Sequence, residues 1–197
     1  SRQAYDMHKI IVNILDAGEF LELKPRWARN IITGLGRIDG FPVGIVASNP
    51  MFKGGILDVD SSDKAARFIN LCDAYSIPLL YLVDVPGFMV GSQVEQAGII
   101  RHGAKFLYAT ASATVPKFTV IVRKSYGAGY YVMTGRAFEP DLLVGWPTAE
   151  VAVMGAEGMV SIAAHKMLEG QENRAEMIKQ MAEQVRRRRP GRGARAG

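Results

Sequence analysis

Two short segments constrain this chain more than any other feature: Leu79 to Val83 is an unbroken apolar run, Phe118 to Val122 reads as another buried strand, and a small-residue turn and a helical pattern lie beyond each. A strand apolar on both sides must be covered on both faces, as the strands of parallel sheets are. Pro78 and Pro116 stand before the two segments, and Asp84-Val85-Pro86-Gly87 closes the first. A chain with two such segments and helical stripes between them is expected to build a layered α/β domain.

The remaining pattern extends that unit in both directions. Tyr5, Ile10, Ile11, Ile14 and Leu15 share one helical face, with Gly18 as a stop signal. Ala28 to Ile38 and Pro42 to Ala47 are rich in β-branched residues and parted by Asp39-Gly40-Phe41, which reads as strand, turn and strand. Ser61 and Ser62 are candidate caps for a helix whose Ala65, Phe68, Ile69, Cys72 and Tyr75 recur at three and four. A second stripe runs through Val94, Ala97, Ile100, Ala104, Leu107 and Ala111. After Lys124-Ser125-Tyr126-Gly127-Ala128-Gly129 a helix is expected from about Tyr130, then a strand near Leu142 to Trp146 and helices over Met159 to Leu168 and Ala175 to Val185. In the last of these, Glu176 and Lys179 or Gln180 suit a solvated face. The organisation expected is a linker helix at 1–20, one α/β domain at 21–185, and a disordered arginine-rich tail at 186–197, where no apolar surface offsets the entropy of ordering.

Charge narrows the partners. The formal net charge of +5 suggests a polyanion-binding protein, but six arginines lie between Arg186 and Arg195, and the rest carries 18 basic against 19 acidic side chains. The basicity belongs to the tail and is weak evidence for nucleic-acid binding. The single Cys72 sits in a helical apolar pattern, where a buried small hydrophobe is the ordinary reading. No apolar run of membrane-spanning length and no secretion-type leader occurs, so a reducing compartment without membrane insertion is expected: cytoplasmic, or mitochondrial matrix in a eukaryote. The opening Ser-Arg-Gln-Ala-Tyr, without methionine, suggests a piece of something longer.

Two turns hold the candidate chemistry, Asp84-Val85-Pro86-Gly87-Phe88 and Tyr126-Gly127-Ala128-Gly129-Tyr130-Tyr131. Each follows a buried strand and leads into a helix, where open α/β sheets place ligands. Small residues there let a substrate oxygen approach unpaired N–H groups at the positive end of a helix. Ordinary strand-to-helix turns would have the same spacing. A dinucleotide fingerprint fails because Val132 stands where the third glycine belongs, and no P-loop is present, so ATP chemistry is not expected. His8, His102 and His165 show neither metal-helix spacing nor a serine partner and are read as structural. Asp84 is a candidate acid or base, though a carboxylate beside Pro-Gly more often accepts hydrogen bonds from its own turn. Gly54-Gly55 reads as a plain loop or a close-approach turn, and Tyr130 and Tyr131 as pocket wall or core. Amide-lined turns without an evident base suit chemistry in which substrate and cofactor bring their own basic atoms and the protein supplies electrostatic stabilisation.

Five stretches together resemble a known family: Asp84-Val85-Pro86-Gly87-Phe88, Gly98 to Lys105 (GIIRHGAK), Ala113-Thr114-Val115-Pro116-Lys117, Arg123-Lys124-Ser125-Tyr126-Gly127, and Trp146-Pro147-Thr148-Ala149-Glu150 through Met154-Gly155-Ala156. In order and spacing they are similar to the C-terminal domain of the β-type carboxyltransferase subunit of biotin-dependent propionyl-CoA and acetyl-CoA carboxylases, over roughly residues 1–185. The resemblance implies a crotonase-like (ClpP/crotonase) α/β fold with flanking helices. It also implies an active site completed by the N-domain of another subunit in a homo-oligomer, a biotin carboxylase and biotin carrier as partners, and no metal or ATP bound here. Carboxybiotin would release carbon dioxide, the biotin enolate would take the α-proton of acetyl- or propionyl-CoA, and the acyl-CoA enolate would capture the carbon dioxide. By the same resemblance, the N–H groups of Ala128 and Gly129 form the biotin-side oxyanion hole, and Phe88 N–H assists. Gly87, Phe88, Tyr126, Gly127, Ala128 and Gly129 contact the cofactor, and Tyr131 contacts the acyl group. Tyr131 stands where many members have Asp, so acyl-length preference is left open, and the arginine-rich ending departs from the family.

Three other activities remain open at this point. A biotin-dependent acyl-CoA decarboxylase would run the same half-reaction in reverse. An enoyl-CoA hydratase or isomerase would need a carboxylate over the substrate, and the sequence places none near Gly129. A non-catalytic protein binding nucleic acid through its tail would lose affinity steeply with salt.

Overall fold

The computed structural model describes residues 3–164 and 173–188. The strands are β1 (Leu21–Glu22), β2 (Ile31–Ile38), β3 (Phe41–Ser48), β4 (Leu79–Val85), β5 (Lys117–Tyr126), β6 (Leu142–Gly145) and β7 (Glu150–Ala152). The α-helices are α1 (His8–Ile14), α2 (Val59–Ala74), α3 (Ser92–Gln96), α4 (Ile99–Ser112), α5 (Gly127–Val132), α6 (Ala156–Ala163) and α7 (Arg174–Arg188). Among the described residues the sheet runs β1-β2-β3-β4-β5-β6, with β7 paired to β5 beyond the end of β6. β1, β2 and β3 are antiparallel, and every pairing from β3 onward is parallel.

The reversal between β2 and β3 follows from Asp39 and Gly40, with φ of 51° and 80°. Two consecutive left-handed residues make the two-residue hairpin turn whose twist matches the flanking strands. Beyond it, β3, β4 and β5 each cross through helix to a parallel neighbour. The continuous run in β4 is buried at every position. Leu79, Tyr81, Val83 and Val85 enter the core beneath α2 and α4 with Phe68, Ile69 and Phe106. Leu80 and Leu82 enter the opposite core, with Met7, Ile11 and Leu15 from the α1 region. A period of two distributes one apolar run between two cores, so burial on both faces is the physical content of that run.

Several boundaries differ from expectation. The first helix covers only His8–Ile14, and Ile11 within it and Met7 and Leu15 at its ends are core, so this segment packs against the sheet. Asp58, not Ser61 or Ser62, caps α2: its carboxylate accepts from Ser61 N at 3.0 Å while Asp58 N donates to Ser61 Oγ at 2.7 Å, a reciprocal capping box. Ala65, Phe68, Ile69 and Cys72 are buried as expected, whereas Tyr75, past the helix end, is 71% exposed. The stripe from Val94 to Ala111 is interrupted at Gly98, whose φ of 87° ends α3 and restarts the helical phase in α4. The buried face of α4 is consequently Ile99, Gly103, Phe106, Ala109 and Thr110, one position off the expected stripe. Ile100, Ala104, Leu107 and Ala111 face outward instead.

Towards the C-terminus, α5 and α6 each begin three residues before the expected start, and β7 was not anticipated. Helix α7 continues through Arg188, so residues 186–188 are helical and not part of an unstructured tail. Residues 189–197, His165 and the end of the helix expected over Met159 to Leu168 lie outside the described residues. α6 and α7 pack together through Ala156, Val160, Ala164 and Ala182, and Glu176, Lys179 and Gln180 are exposed as expected.

Candidate functional site

Both candidate turns lie at the same end of the parallel sheet, where neighbouring strands β4 and β5 finish. Beyond Val85, Gly87 adopts φ 137°, a backbone conformation that favours glycine. The loop is then held by Leu57, whose N–H donates to Gly87 O at 3.0 Å and whose carbonyl accepts from Met89 N at 2.7 Å. This is a parallel bridge between Leu57 and Phe88. Amides alternate between edges in such a pairing, so Phe88 N–H turns away from Leu57. The Phe88 ring is packed on α4, where a Cβ on Gly103 would come within 3.1 Å of it. Phe88 therefore contributes its backbone to the turn, while its side chain is an anchor.

The second turn is equally determined. Tyr126 ends β5 as the N-cap of α5, and its hydroxyl lies 2.5 Å from Glu150 Oε2 on β7. Gly127, with φ 54°, begins the helix, and a Cβ there would stand 3.0 Å from Val153 O. Thr110 Oγ1 donates to Val132 O at 2.9 Å and Thr119 Oγ1 to Thr134 O at 2.9 Å, fixing the far end of α5 against α4 and β5. Gly127, Ala128 and Gly129 form the first turn, whose N–H groups have no carbonyl one turn earlier in the helix.

Gly129 is where the two turns meet. A Cβ added to it would lie 2.9 and 3.0 Å from the Val85 methyl carbons and 3.4 Å from Gly87 Cα. Only a residue without a side chain lets the start of α5 settle this closely against Val85, beside the Gly87 loop. Gly129 is buried and Ala128 exposed, so the helix start is open on one side and seated on the other. Gly87, Phe88, Tyr126, Gly127, Ala128 and Gly129 are thus one neighbourhood. Tyr131 is 48% exposed, and its ring meets that of Tyr130 edge-on at 5.8 Å. Tyr130 is oriented by its hydroxyl, which accepts from Arg136 N at 2.9 Å.

Asp84 differs from both of its expected roles. It is fully buried in β4, with Oδ2 at 2.9 Å from Arg123 Nε and 2.9 Å from the Tyr5 hydroxyl that donates to it, while Oδ1 accepts from Lys124 N at 3.2 Å. Its partners come from β5 and the N-terminal segment, not from its own turn. Burial, followed by the Asp84 charge and hydrogen bond, pushes the Tyr5 hydroxyl far above its ordinary pKa, which keeps it a donor.

The histidines are structural where described: His8 lies between Asp6 and Glu22 at 2.6 and 2.9 Å, and His102 lies 2.9 Å from Asp63. Gly55 is a close-approach turn after all, since a Cβ on it would come within 2.7 Å of Asp84 O. Sequence reasoning did not assign Leu57, Gly103 or Val153 as supports of the turns. Their signal is the small or backbone-only contact each provides, and that acquires meaning only once its partner is known. Glu150, opposite Lys124 in the pairing of β7 with β5, is engaged by Tyr126.

Residues 1–191 match the family described as "Carboxyl transferase domain". The chain is 55% identical over 184 residues to the "Uncharacterized carboxylase YngE" of Bacillus subtilis, covering 92% of this chain and 36% of that protein. It is 48% identical over 178 residues to the "Methylmalonyl-CoA decarboxylase subunit alpha" of Propionigenium modestum, covering 90% of this chain and 34% of the relative. Among solved structures, the transcarboxylase 12S subunit with methylmalonyl-coenzyme A and methylmalonic acid bound superposes with a TM-score of 0.85 at 46% identity, covering 94% of this chain and 36% of that one. The chain spans about a third of the length of these relatives.

Proposed function

Because this chain belongs to the carboxyl transferase domain family and has its crotonase-like fold, we propose that it supplies the biotin-side half of a carboxyltransferase site. That site moves a carboxyl group between carboxybiotin and the α carbon of a short acyl-CoA. The observation that carries the reading is the seat of Gly129 on Val85 and Gly87, which brings the start of α5 against the Gly87-Phe88 loop. Biotin supplies, when bound, a ureido oxygen that gains negative charge as its carboxyl group leaves. The protein meets that charge with the N–H groups of Ala128 and Gly129, aided by Phe88 N–H and by the dipole at the start of α5. These donors belong to the backbone and are fixed by packing, so they need no reorganisation as charge develops. Tyr131 lies in the next positions of the same turn and would shape the space for the acyl group.

The remaining parts of such a site lie outside these residues. The oxyanion donors for the acyl-CoA would come from a carboxyltransferase N-domain, and the biotin from a carrier served by a biotin carboxylase. The outward apolar stripe of α4, with Ile100 at 80% and Tyr108 at 75% exposure, suits contact with such an N-domain in an oligomer. A biotin-dependent decarboxylase is the second reading, favoured by the Propionigenium relative. An oxyanion hole lowers the same transition state from either side, so the geometry serves both directions.

The test is Ala128→Pro in the chain assembled with a carboxyltransferase N-domain, followed by carboxyl transfer between malonyl- or methylmalonyl-CoA and free biotin. Proline in the first turn of a helix removes one N–H with little effect on the helix, and Ala128 is exposed. The expected loss in kcat is on the order of 10²-fold. Unchanged turnover would move the oxyanion hole elsewhere.

A further inference from the structure

The pairing of β4 with β5 is irregular just before the site. Val83 is opposite Ile121, but Val85 is opposite Ser125, so β5 contains two more residues than β4 across this interval. A ladder with surplus residues leaves backbone groups without their regular partners. Asp84 sits opposite the surplus and takes over that function with its side chain: Oδ1 accepts from Lys124 N at 3.2 Å. The surplus residue Arg123 turns back to place Nε 2.9 Å from Asp84 Oδ2, as a close ion pair. Its Nη1 donates to Gln3 O at 2.8 Å, and its guanidinium stands 5.0 Å from the centre of the Tyr5 ring. Tyr5 completes the cluster through its 2.9 Å hydrogen bond to Asp84 Oδ2. Asp84 is fully buried and Arg123 is 9% exposed, so each charge depends on the other in a medium that screens little.

Asp84 and Arg123 each stand just before one of the two turns. Phe88 lies four beyond Asp84, and Gly127 lies four beyond Arg123. The offset between β4 and β5 is the offset between the Gly87-Phe88 loop and the start of α5, and Asp84 bonds across the point where that offset is set. We propose that Tyr5, Asp84 and Arg123 are positioning residues that hold the Phe88, Ala128 and Gly129 amides in mutual register, making the N-terminal segment a support of the site. The proposal rests on the oxyanion reading above. None of the three residues exchanges a proton with substrate. The Tyr5 hydroxyl is the part of the cluster that can be removed with the least disturbance, because phenylalanine keeps the ring against Arg123.

Tyr5→Phe is therefore the decisive variant, with Asp84→Asn as a more severe companion. Two measurements are made on Tyr5→Phe at a temperature where it is fully folded. The first is kcat and KM for free biotin in the assembled enzyme. The second is the position of the Phe88, Ala128 and Gly129 amide resonances in the isotopically labelled chain. The expected result is a kcat lower by about tenfold, as small misplacements of a site produce, with KM changed less than twofold and all three amide signals displaced. Unmoved amide signals overturn the proposal whatever kcat does, and displaced signals with unchanged kcat overturn it as well. If the unaltered chain shows no transfer with any N-domain, the oxyanion reading fails by itself. The resonances then still decide whether Tyr5 sets the register of the turns.

Discussion

At the scale of single residues the site depends on absences. A Cβ on Gly129 would meet both Val85 methyl carbons at 2.9 and 3.0 Å, closer than a real Cβ tolerates easily. Gly129→Ala is expected to destabilise the fold by about 1–3 kcal/mol through overpacking and to lower carboxyl transfer more than stability alone explains, checked by thermal unfolding beside kinetics on the folded fraction. Cys72 shows the opposite case, a reactive group made inert by its surroundings. It is fully buried, and burial pushes its thiol up to about 12. Iodoacetamide at pH 8 is expected to leave the native thiol unmodified and to label it fully in denaturant, as mass spectrometry would show. Cys72 as a buried apolar residue was legible from its helical spacing. The role of Gly129 was legible only as a small residue in a turn, because the Val85 and Gly87 it touches are more than 40 positions away.

At the scale of elements, the N-terminal helix provides a pH-dependent contact. His8 on α1 bonds Asp6 at 2.6 Å and, across to β1, Glu22 at 2.9 Å. Burial alone lowers its pKa, but the hydrogen bonds and charges of Asp6 and Glu22 outweigh burial and raise it above 6.5. A histidine raised in the folded state contributes stability that is complete below its unfolded pKa and is lost as pH rises through the folded one. The amides of α1, corrected for intrinsic exchange, are therefore expected to be better protected at pH 6 than at pH 8.5, and His8→Gln is expected to remove that difference. The existence of α1, α2, the β2–β3 hairpin and the two buried strands was readable from periodicity and turn residues. The face that α4 buries was not. Gly98 in the left-handed region restarts the helical phase, and a stripe counted across it selects the wrong side.

At the scale of the whole molecule, the outward apolar face of α4 is the surface on which the proposed activity depends. Carboxyl transfer is expected to be undetectable with this chain alone and to appear on addition of an N-domain. Ile100→Asp is expected to abolish that recovery and to lower the sedimentation coefficient of the mixture while leaving the circular dichroism of the chain unchanged. Such a result would separate assembly from folding, since Ile100 makes little contact within its own chain at 80% exposure.

Local chemistry is what the sequence determined by itself. An unbroken apolar run requires a strand covered on both faces, Asp39-Gly40 requires a tight hairpin, and small residues after a buried strand leave amides open at a helix start. The tertiary structure alone decided which of these small residues face one another, that Asp58 caps α2, and that Asp84 faces Arg123 and Tyr5 instead of its own turn. The physical reason is range. Periodicity and turn propensity act within a few residues, whereas the register of β4 on β5 is set by contacts between segments 40 and 79 positions apart.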